Sequence, residues 1–281
     1  MEILQYSFFQ NAILGSLLAS IVCGFIGTYI VTRRLVFISG GITHASFGGI
    51  GIGVFTGINP ILSAMVFSIL SALGIQWMSH RGDVREDSAI ALFWTFGMSV
   101  GIICCFLTPG FMPNLPSYLF GSILTINRTD LWLLGGMTLL VALLFIFFLH
   151  PIQSVAFDST FARSQHLPVN FIENLMMALI AMTIVSTLRL IGVVLAISLL
   201  TIPQMSANLF SYSWKKIILL SIFIGWADCL IGLCFSYWFD VPSGAAIIFT
   251  SIIVYCLLKM IKIIQNREDI QQTEELQEGQ I

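Results

Sequence analysis

The chain has 281 residues, of which 57% are hydrophobic and 9% are charged, and its mean hydropathy is +0.96. Soluble domains are about a quarter charged, so this composition excludes a water-soluble globular protein and predicts an integral membrane protein. At about 20 residues per span, the length accommodates about eight to ten spans and leaves no room for a folded soluble domain. The net charge of −2 and the scattered basic residues argue against a nucleic-acid partner.

Charged residues and turn signals divide the chain into predicted membrane spans. The first eight are expected at residues 6–31, 42–56, 61–79, 88–108, 131–149, 171–188, 193–210 and 217–238, and a ninth follows the turn at 240–244 and ends near Lys259 and Lys262. Residues 109–127 hold prolines but no charge and predict an irregular segment or short helix at the interface. Pro203 is expected to kink or end the seventh span. The fold class is therefore an all-α, polytopic membrane protein with about nine transmembrane segments.

The loops suggest two parts and one orientation. Residues 1–264 form a predicted membrane domain, with a long polar loop at 150–170, and residues 265–281 form a polar, acidic, solvated tail. With the amino terminus outside, ten of the twelve basic residues fall on the cytoplasmic side, leaving Arg128 and Arg189 outside. The first span lacks a basic leader, and its uncharged run is too long for a cleaved signal peptide.

The second span places one histidine among glycines. The 46 residues from Leu35 to His80 contain no Asp, Glu, Lys or Arg, and they include the sequence SGGITHASFGGIGIG. An imidazole in lipid is expensive, so His44, the only histidine predicted inside a span, is a candidate contact for something that crosses the membrane. The alternative is a hydrogen-bonded packing histidine. Its neighbours Gly40, Gly41, Gly48 and Gly49 either allow close helix packing, which the sequence favours, or leave backbone carbonyls to line a path.

Asp228 is the only clear acidic residue in the middle of a predicted span. It is either a helix-to-helix hydrogen bonder or a group that binds a cation or relays protons. Two enzyme signatures are absent from the sequence. It contains no Gly-Lys pair, which a phosphate-binding loop needs, and no H-E-x-x-H zinc motif.

Several phrases, in order along the chain, carry a family resemblance. They are RRLVFISGGITHASFGGIGIG, RGDVREDSAIAL, LFGSIL, AFDSTFARSQHLPVNF, and LRLIGVVLAISLLTIPQMSANL followed by FDVPSGAAI. Together they resemble the permease subunits of ABC importers for zinc, manganese and iron. The loop phrase is also similar to the related cobalamin and siderophore permeases, whose fold this chain is expected to share.

The resemblance implies a homodimer in the bacterial cytoplasmic (inner) membrane, with the translocation path between the two subunits. It implies two copies of a separate ATPase, which would hydrolyse the ATP, and an extracytoplasmic metal-binding protein that delivers the cargo. The divalent metal ion is cargo, and no permanently bound cofactor is expected. The chain itself is then a transport subunit and not an enzyme.

The loop at 150–170 contains the predicted contact with the ATPase. Asp158 can cap a short helix over residues 159–163, and Pro151 and Pro168 are expected to isolate that helix from both spans. The resemblance identifies it as the coupling helix that docks on the ATPase. At the matching positions, Phe161 would be the buried anchor, and Asp158 and Arg163 would fix the register. The alternative is an ordinary loop between spans.

The histidine segment departs from the family at one position. Many of these permeases carry a carboxylate one helical turn before the histidine, and here that position is Gly40. A histidine without a carboxylate suits zinc better than manganese, so zinc is the expected metal, with manganese or iron as further candidates. Other ligands can come from distant spans or from the second subunit.

Two other classes of protein stay open on the sequence alone. One is a cation-coupled secondary transporter using His44 and Asp228, which should show paired intramembrane charges or inverted repeats. The other is an intramembrane enzyme, which needs a nucleophile and base on facing helices. The sequence shows no such pairs or repeats, and no evident partner for His44.

Overall fold

The computed structural model describes residues 7–82, 84–109 and 126–278, and these residues form helices without any strand. In chain order the helices are α1 (Ser7–Arg33), α2 (Val36–Thr56), α3 (Pro60–Arg81), α4 (Glu86–Leu107), α5 (Arg128–Phe157), α6 (Ser159–Ser164), α7 (Val169–Leu199), α8 (Ile202–Asn208), α9 (Trp214–Phe239) and α10 (Ser243–Glu278). Within the described ranges, nine helical stretches are long and apolar enough to cross a membrane. The predicted fold class and number of spans are confirmed.

The end of the fifth span differs from the prediction. Helix α5 continues through His150 and Pro151 to Phe157, so the predicted loop boundary at residue 150 was wrong, and His44 is not the only histidine within a candidate span. Proline removes a hydrogen bond and crowds the preceding turn. That effect appears as a kink at Phe148 (φ −115°, ψ 23°) and does not end the helix. Residues 110–125, most of the predicted irregular segment, lie outside the described residues.

Helix α7 contains two spans joined by a break at Gly192. This glycine has φ 76° and ψ 169°, a conformation that other residues rarely adopt. Before the break, Glu173 lies beside Arg33 at the end of α1. After it, Leu200 again lies against the second half of α1, at Gly27. The chain therefore reverses direction at Gly192, and the sequence had placed this boundary at Arg189.

A second break, between Leu199 and Ile202, separates α7 from α8. Pro203 lies in the first turn of α8, where its missing N–H costs nothing. The seventh candidate span, Ile191–Asn208, is interrupted directly before this proline, as the sequence predicts. The Gln204 amide bridges the break, because its Nε2 donates to the carbonyl of Cys23 in α1 (2.8 Å) and to that of Leu199 (3.1 Å).

The bundle has a basic end and an opposite end. We define the basic end by Arg33, His80 and Arg163, which line one cavity where α1 and α3 end and α7 begins. Helix α9 starts at the same end, since Trp214 Nε1 donates to Thr32 Oγ1 (3.1 Å). At the opposite end, Asn11 of α1 donates to the Ile126 carbonyl just before α5 (3.3 Å).

Helix α1 lies at the centre of the bundle, where Ile26, Ile30 and Tyr29 are fully buried. It packs against α5, α7 and α9. Large apolar side chains such as Trp132 and Phe147 on α5 are exposed, as expected for a surface that faces lipid.

Candidate metal path and coupling helix

Several glycines of α2 bring its backbone into direct contact with its neighbours. A Cβ atom added at Gly48 would lie 2.7 Å from the Gly97 carbonyl oxygen of α4, and one at Gly51 would lie 2.5 Å from that of Gly101. On another face, a Cβ at Gly49 would lie 2.5 Å from the Ala64 Cα of α3. A side chain at any of these positions would force the helices apart, so α2 is tightly held between α3 and α4.

His44 lies on the face of α2 that also carries Gly40 and Gly48, because residues four apart are neighbours on a helix. The His44 ring is half-buried and stacks on the ring of Trp94 in α4, with centroids 4.3 Å apart and planes within 4°. Gly40 differs from the packing glycines, since a Cβ there would meet no atom within 4 Å. The position where the family resemblance implies a carboxylate is therefore open space, one turn from the imidazole.

Gly41 is a packing position on the first half of α2. A Cβ there would lie 2.6 Å from Cγ2 of Ile90 in α4. The contact joins the histidine-bearing helix to α4 one turn before His44.

Asp228 lies in a different part of the bundle from His44. Its side chain is buried in α9 beside Ser251 of α10, whose hydroxyl donates to the Ile247 carbonyl (3.0 Å). Helix α9 packs mainly against α1, α8 and α10, whereas α2 packs mainly against α3, α4 and α7. The structure does not bring the two predicted ligands together, and the described residues contain no cluster of three or more His, Cys, Asp or Glu side chains suited to a metal.

The loop after α5 forms the short helix α6, and Asp158 lies at its start. Asp158 Oδ1 accepts hydrogen bonds from the backbone N–H groups of Phe161 (3.0 Å) and Thr160 (2.8 Å). These bonds favour the charged carboxylate and lower the pKa of Asp158, the Phe161 bond contributing most. Ala162 is fully buried against the bundle, so the opposite side of α6 faces away from the bundle.

The other two predicted coupling residues have different surroundings. Phe161 is 57% exposed on α6, close to the equally exposed Phe157 at the end of α5. The Arg163 guanidinium donates to Asn170 Oδ1 (3.2 Å) and so binds the end of α6 to the start of α7. The prediction that prolines isolate this helix was wrong in part, since α5 continues through Pro151 and ends at Phe157, directly before Asp158.

Sequence reasoning missed an ion pair close to this helix. Arg33 Nη2 lies 2.6 Å from Oε1 of Glu173, and Arg33 Nη1 donates to the Val155 carbonyl (3.2 Å). Both residues line a cavity of about 840 Å³ that also reaches Gln76 and Arg163. The available signal was a glutamate at the third residue of the predicted span 171–188, since a buried acid needs a partner.

Within the described residues, an all-helical bundle of nine candidate spans, with a capped short helix between two of them, defines a polytopic membrane protein. Residues 5–262 match the ABC 3 transport family, so the chain belongs to this family.

The chain is 32% identical over 256 residues to the manganese transport system membrane protein MntC of Halalkalibacterium halodurans, covering 91% of this chain and 88% of the relative. It is 40% identical over 256 residues to an uncharacterized membrane protein of Synechocystis, covering 91% of each. Its fold matches a chain of PsaBC from Streptococcus pneumoniae in complex with Fab, with a TM-score of 0.82 and 28% identity over 91% of this chain and 92% of that one.

These similarities confirm the resemblance noted from the sequence. The chain is the membrane-spanning permease of an ABC importer for metal ions and a multi-pass protein of the inner membrane. They favour neither a secondary carrier nor an intramembrane enzyme.

Proposed function

We propose that this permease carries zinc into the cytoplasm along a path that passes His44. The observation that carries the proposal is the open position at Gly40, which leaves the exposed part of the His44 ring without a carboxylate one turn away. Neutral imidazole is a good ligand for zinc, whereas manganese prefers oxygen ligands. Ligands beyond His44 would come from the facing subunit, and Asp228 has no part in the proposal because its helix packs away from α2.

Manganese is a second candidate cargo. MntC of Halalkalibacterium halodurans, 32% identical to this chain, is named as part of a manganese transport system. On this alternative, oxygen ligands from elsewhere on the path replace the carboxylate that α2 lacks.

Uptake of labelled zinc and manganese by cells expressing single variants tests the path and the metal. We expect His44→Ala to abolish uptake without reducing the amount of permease in the membrane. Gly40→Asp should shift preference towards manganese, because the carboxylate fits the open space and supplies a hard ligand. The uncharged Gly40→Asn is its control. Normal transport by His44→Ala would remove the histidine from the path.

We further infer a homodimer that works with two copies of a separate ATPase and receives its cargo from an extracytoplasmic metal-binding protein. The basic end then faces the cytoplasm, in agreement with the distribution of Lys and Arg. Support for the ATPase contact comes from α6, a capped helix that presents Phe161 outward from this end. ATP hydrolysis belongs to the partner, since the sequence has no Gly-Lys pair for a phosphate-binding loop.

Co-purification in detergent tests the ATPase contact. A buried aromatic anchor at an interface is often worth about 2 kcal/mol or more, so Phe161→Ala should release the ATPase while the permease stays folded. The matched control is Phe171→Ala, another exposed phenylalanine near the same end. Equal recovery of the ATPase with both variants, together with normal transport, would refute the role of Phe161.

A further inference from the structure

Helix α6 is joined covalently to two spans, α5 before it and α7 after it. Any movement imposed on α6 reaches the rest of the bundle through those two junctions. Arg163 links α6 to Asn170 at the start of α7, but this contact is exposed to solvent. The buried contact at the same place belongs to Arg33, the last residue of α1.

Arg33 binds the end of α5 through a carbonyl that the helix itself leaves free. The last four carbonyl groups of a helix have no intrahelical partner, and Val155 lies in the last turn before Phe157. The helix dipole also makes this end negative, which favours a cation. The hydrogen bond from Arg33 Nη1 to the Val155 carbonyl (3.2 Å) therefore ties α1 to the residues immediately preceding α6.

The same guanidinium binds the start of α7. Glu173 lies in the second turn of that helix, and its side chain is 5% exposed. A buried carboxylate without a cation is strongly destabilised, and Arg33 Nη2 at 2.6 Å from Oε1 is the cation within bonding distance. One side chain of α1 thus holds both helices that flank α6.

We propose that Arg33 is a positioning residue for energy coupling. It makes the end of α5 and the start of α7 move together with α1, so that displacement of α6 by the ATPase reaches the centre of the bundle. The proposal rests on the docking of the ATPase at α6. Without Arg33 the ATPase still binds α6 and still hydrolyses ATP, but the two flanking helices yield locally and less metal is moved for each ATP.

The shape of the guanidinium is essential to this role. Arginine has a planar fork whose two terminal nitrogens bind different acceptors, whereas lysine carries one compact ammonium group. Arg33→Lys retains the charge beside Glu173 but does not bind the Val155 carbonyl in the same way. Arg33→Lys therefore distinguishes a role in linking α5 to α7 from a role that only neutralises the buried Glu173 carboxylate.

The test uses the complete permease–ATPase complex in proteoliposomes, with the extracytoplasmic metal-binding protein supplied on the side of uptake. Uptake of labelled zinc and manganese and ATP hydrolysis are measured together. We expect Arg33→Gln to retain the bound ATPase and its hydrolysis rate while metal moved per ATP falls about tenfold, a typical size for the loss of a coupling residue. Arg33→Lys should lower the same ratio. The matched control is Arg34→Gln, the adjacent arginine, whose side chain is exposed.

A further variant tests whether the arginine and the glutamate act as one unit. Glu173→Gln should lower the ratio, and combining it with Arg33→Gln should cost no more than Arg33→Gln alone. A wild-type ratio in folded Arg33→Lys and Arg33→Gln would overturn the proposal. The proposal would also be overturned if the variants reduced the amount of permease in the membrane but left the metal moved per ATP unchanged in the remaining protein, because the ion pair would then be purely structural. Failure of the wild-type complex to take up metal with ATP would refute the proposed function instead.

Discussion

The contact between α2 and α4 predicts a large effect for the smallest possible side-chain addition. In Gly48→Ala the new Cβ would lie 2.7 Å from the Gly97 carbonyl oxygen and 3.0 Å from its Cα. Ordinary contact begins at 3.4 Å, so the helices must separate by about 0.7 Å, because backbone atoms cannot rotate aside. Overpacking of this kind typically costs about 1–3 kcal/mol.

The same substitution at Gly40 is a matched control. It lies on the same face of the same helix, and a Cβ there meets no atom within 4 Å. Replacing glycine by alanine within a helix stabilises it by about 1 kcal/mol, and that gain is common to both variants. The difference between Gly48→Ala and Gly40→Ala therefore measures the steric cost alone.

The assay is thermal unfolding of the detergent-purified permease, followed by the fraction that remains monodisperse after heating. We expect Gly40→Ala to melt at or above the wild-type temperature and Gly48→Ala several degrees below it, at about 2 °C or more per kcal/mol. Gly48→Ala should also reduce metal uptake, because the separation moves Trp94 away from the His44 ring. Equal melting temperatures for the two variants would show that α2 and α4 do not touch at Gly48.

Three further predictions follow from the backbone and the loops. Gly192→Ala should destabilise the protein by about 1–3 kcal/mol in the same thermal assay, because the φ of 76° at this position strains any side chain. The control is Gly136→Ala, where a Cβ meets open space, and it should be neutral or stabilising. An NMR titration should give the Asp158 carboxyl a pKa below its ordinary value of 3.8. The cap of α6 is then complete above pH 3.8 and is lost only as the pH falls through the lowered pKa. A titration midpoint at or above 3.8 would contradict the two hydrogen bonds to Asp158. In a cysteine-free background, Ile58→Cys should react with an impermeant reagent from outside and Ser164→Cys only from inside, and reversed labelling would invert the topology.

The features that could be predicted from the sequence are local in origin. Spans follow from runs of apolar residues, and the cap of α6 follows from an aspartate placed directly before Ser159–Ser164. Wrong boundaries arose where a strong local signal was overridden by its surroundings. Pro151 predicts a helix end, but inside a bundle the lost hydrogen bond produces only the kink at Phe148.

The Arg33–Glu173 pair was beyond the reach of sequence reasoning because the two residues are 140 positions apart. Each has an ordinary local explanation, the arginine as a boundary charge and the glutamate as the polar start of a span. Only the packing of α7 against α1 shows that neither reaches solvent freely. The reversal between the sixth and seventh spans was predicted, but it was placed at Arg189 because an arginine is the stronger boundary signal, whereas the conformation of Gly192 is visible only in three dimensions.

The amide of Gln204 sets an order for assembly of the protein. It joins α8 to the Cys23 carbonyl across 181 residues, and it also binds the Leu199 carbonyl left open by the break before α8. In hydrocarbon an open carbonyl costs several kcal/mol, so the Gln204 amide makes this break tolerable, and its second hydrogen bond fixes the break against α1. Because α1 is synthesised first, the late-emerging helices dock on a partner that is already in the bilayer. A chain made without α1 would leave the Gln204 amide without its Cys23 acceptor.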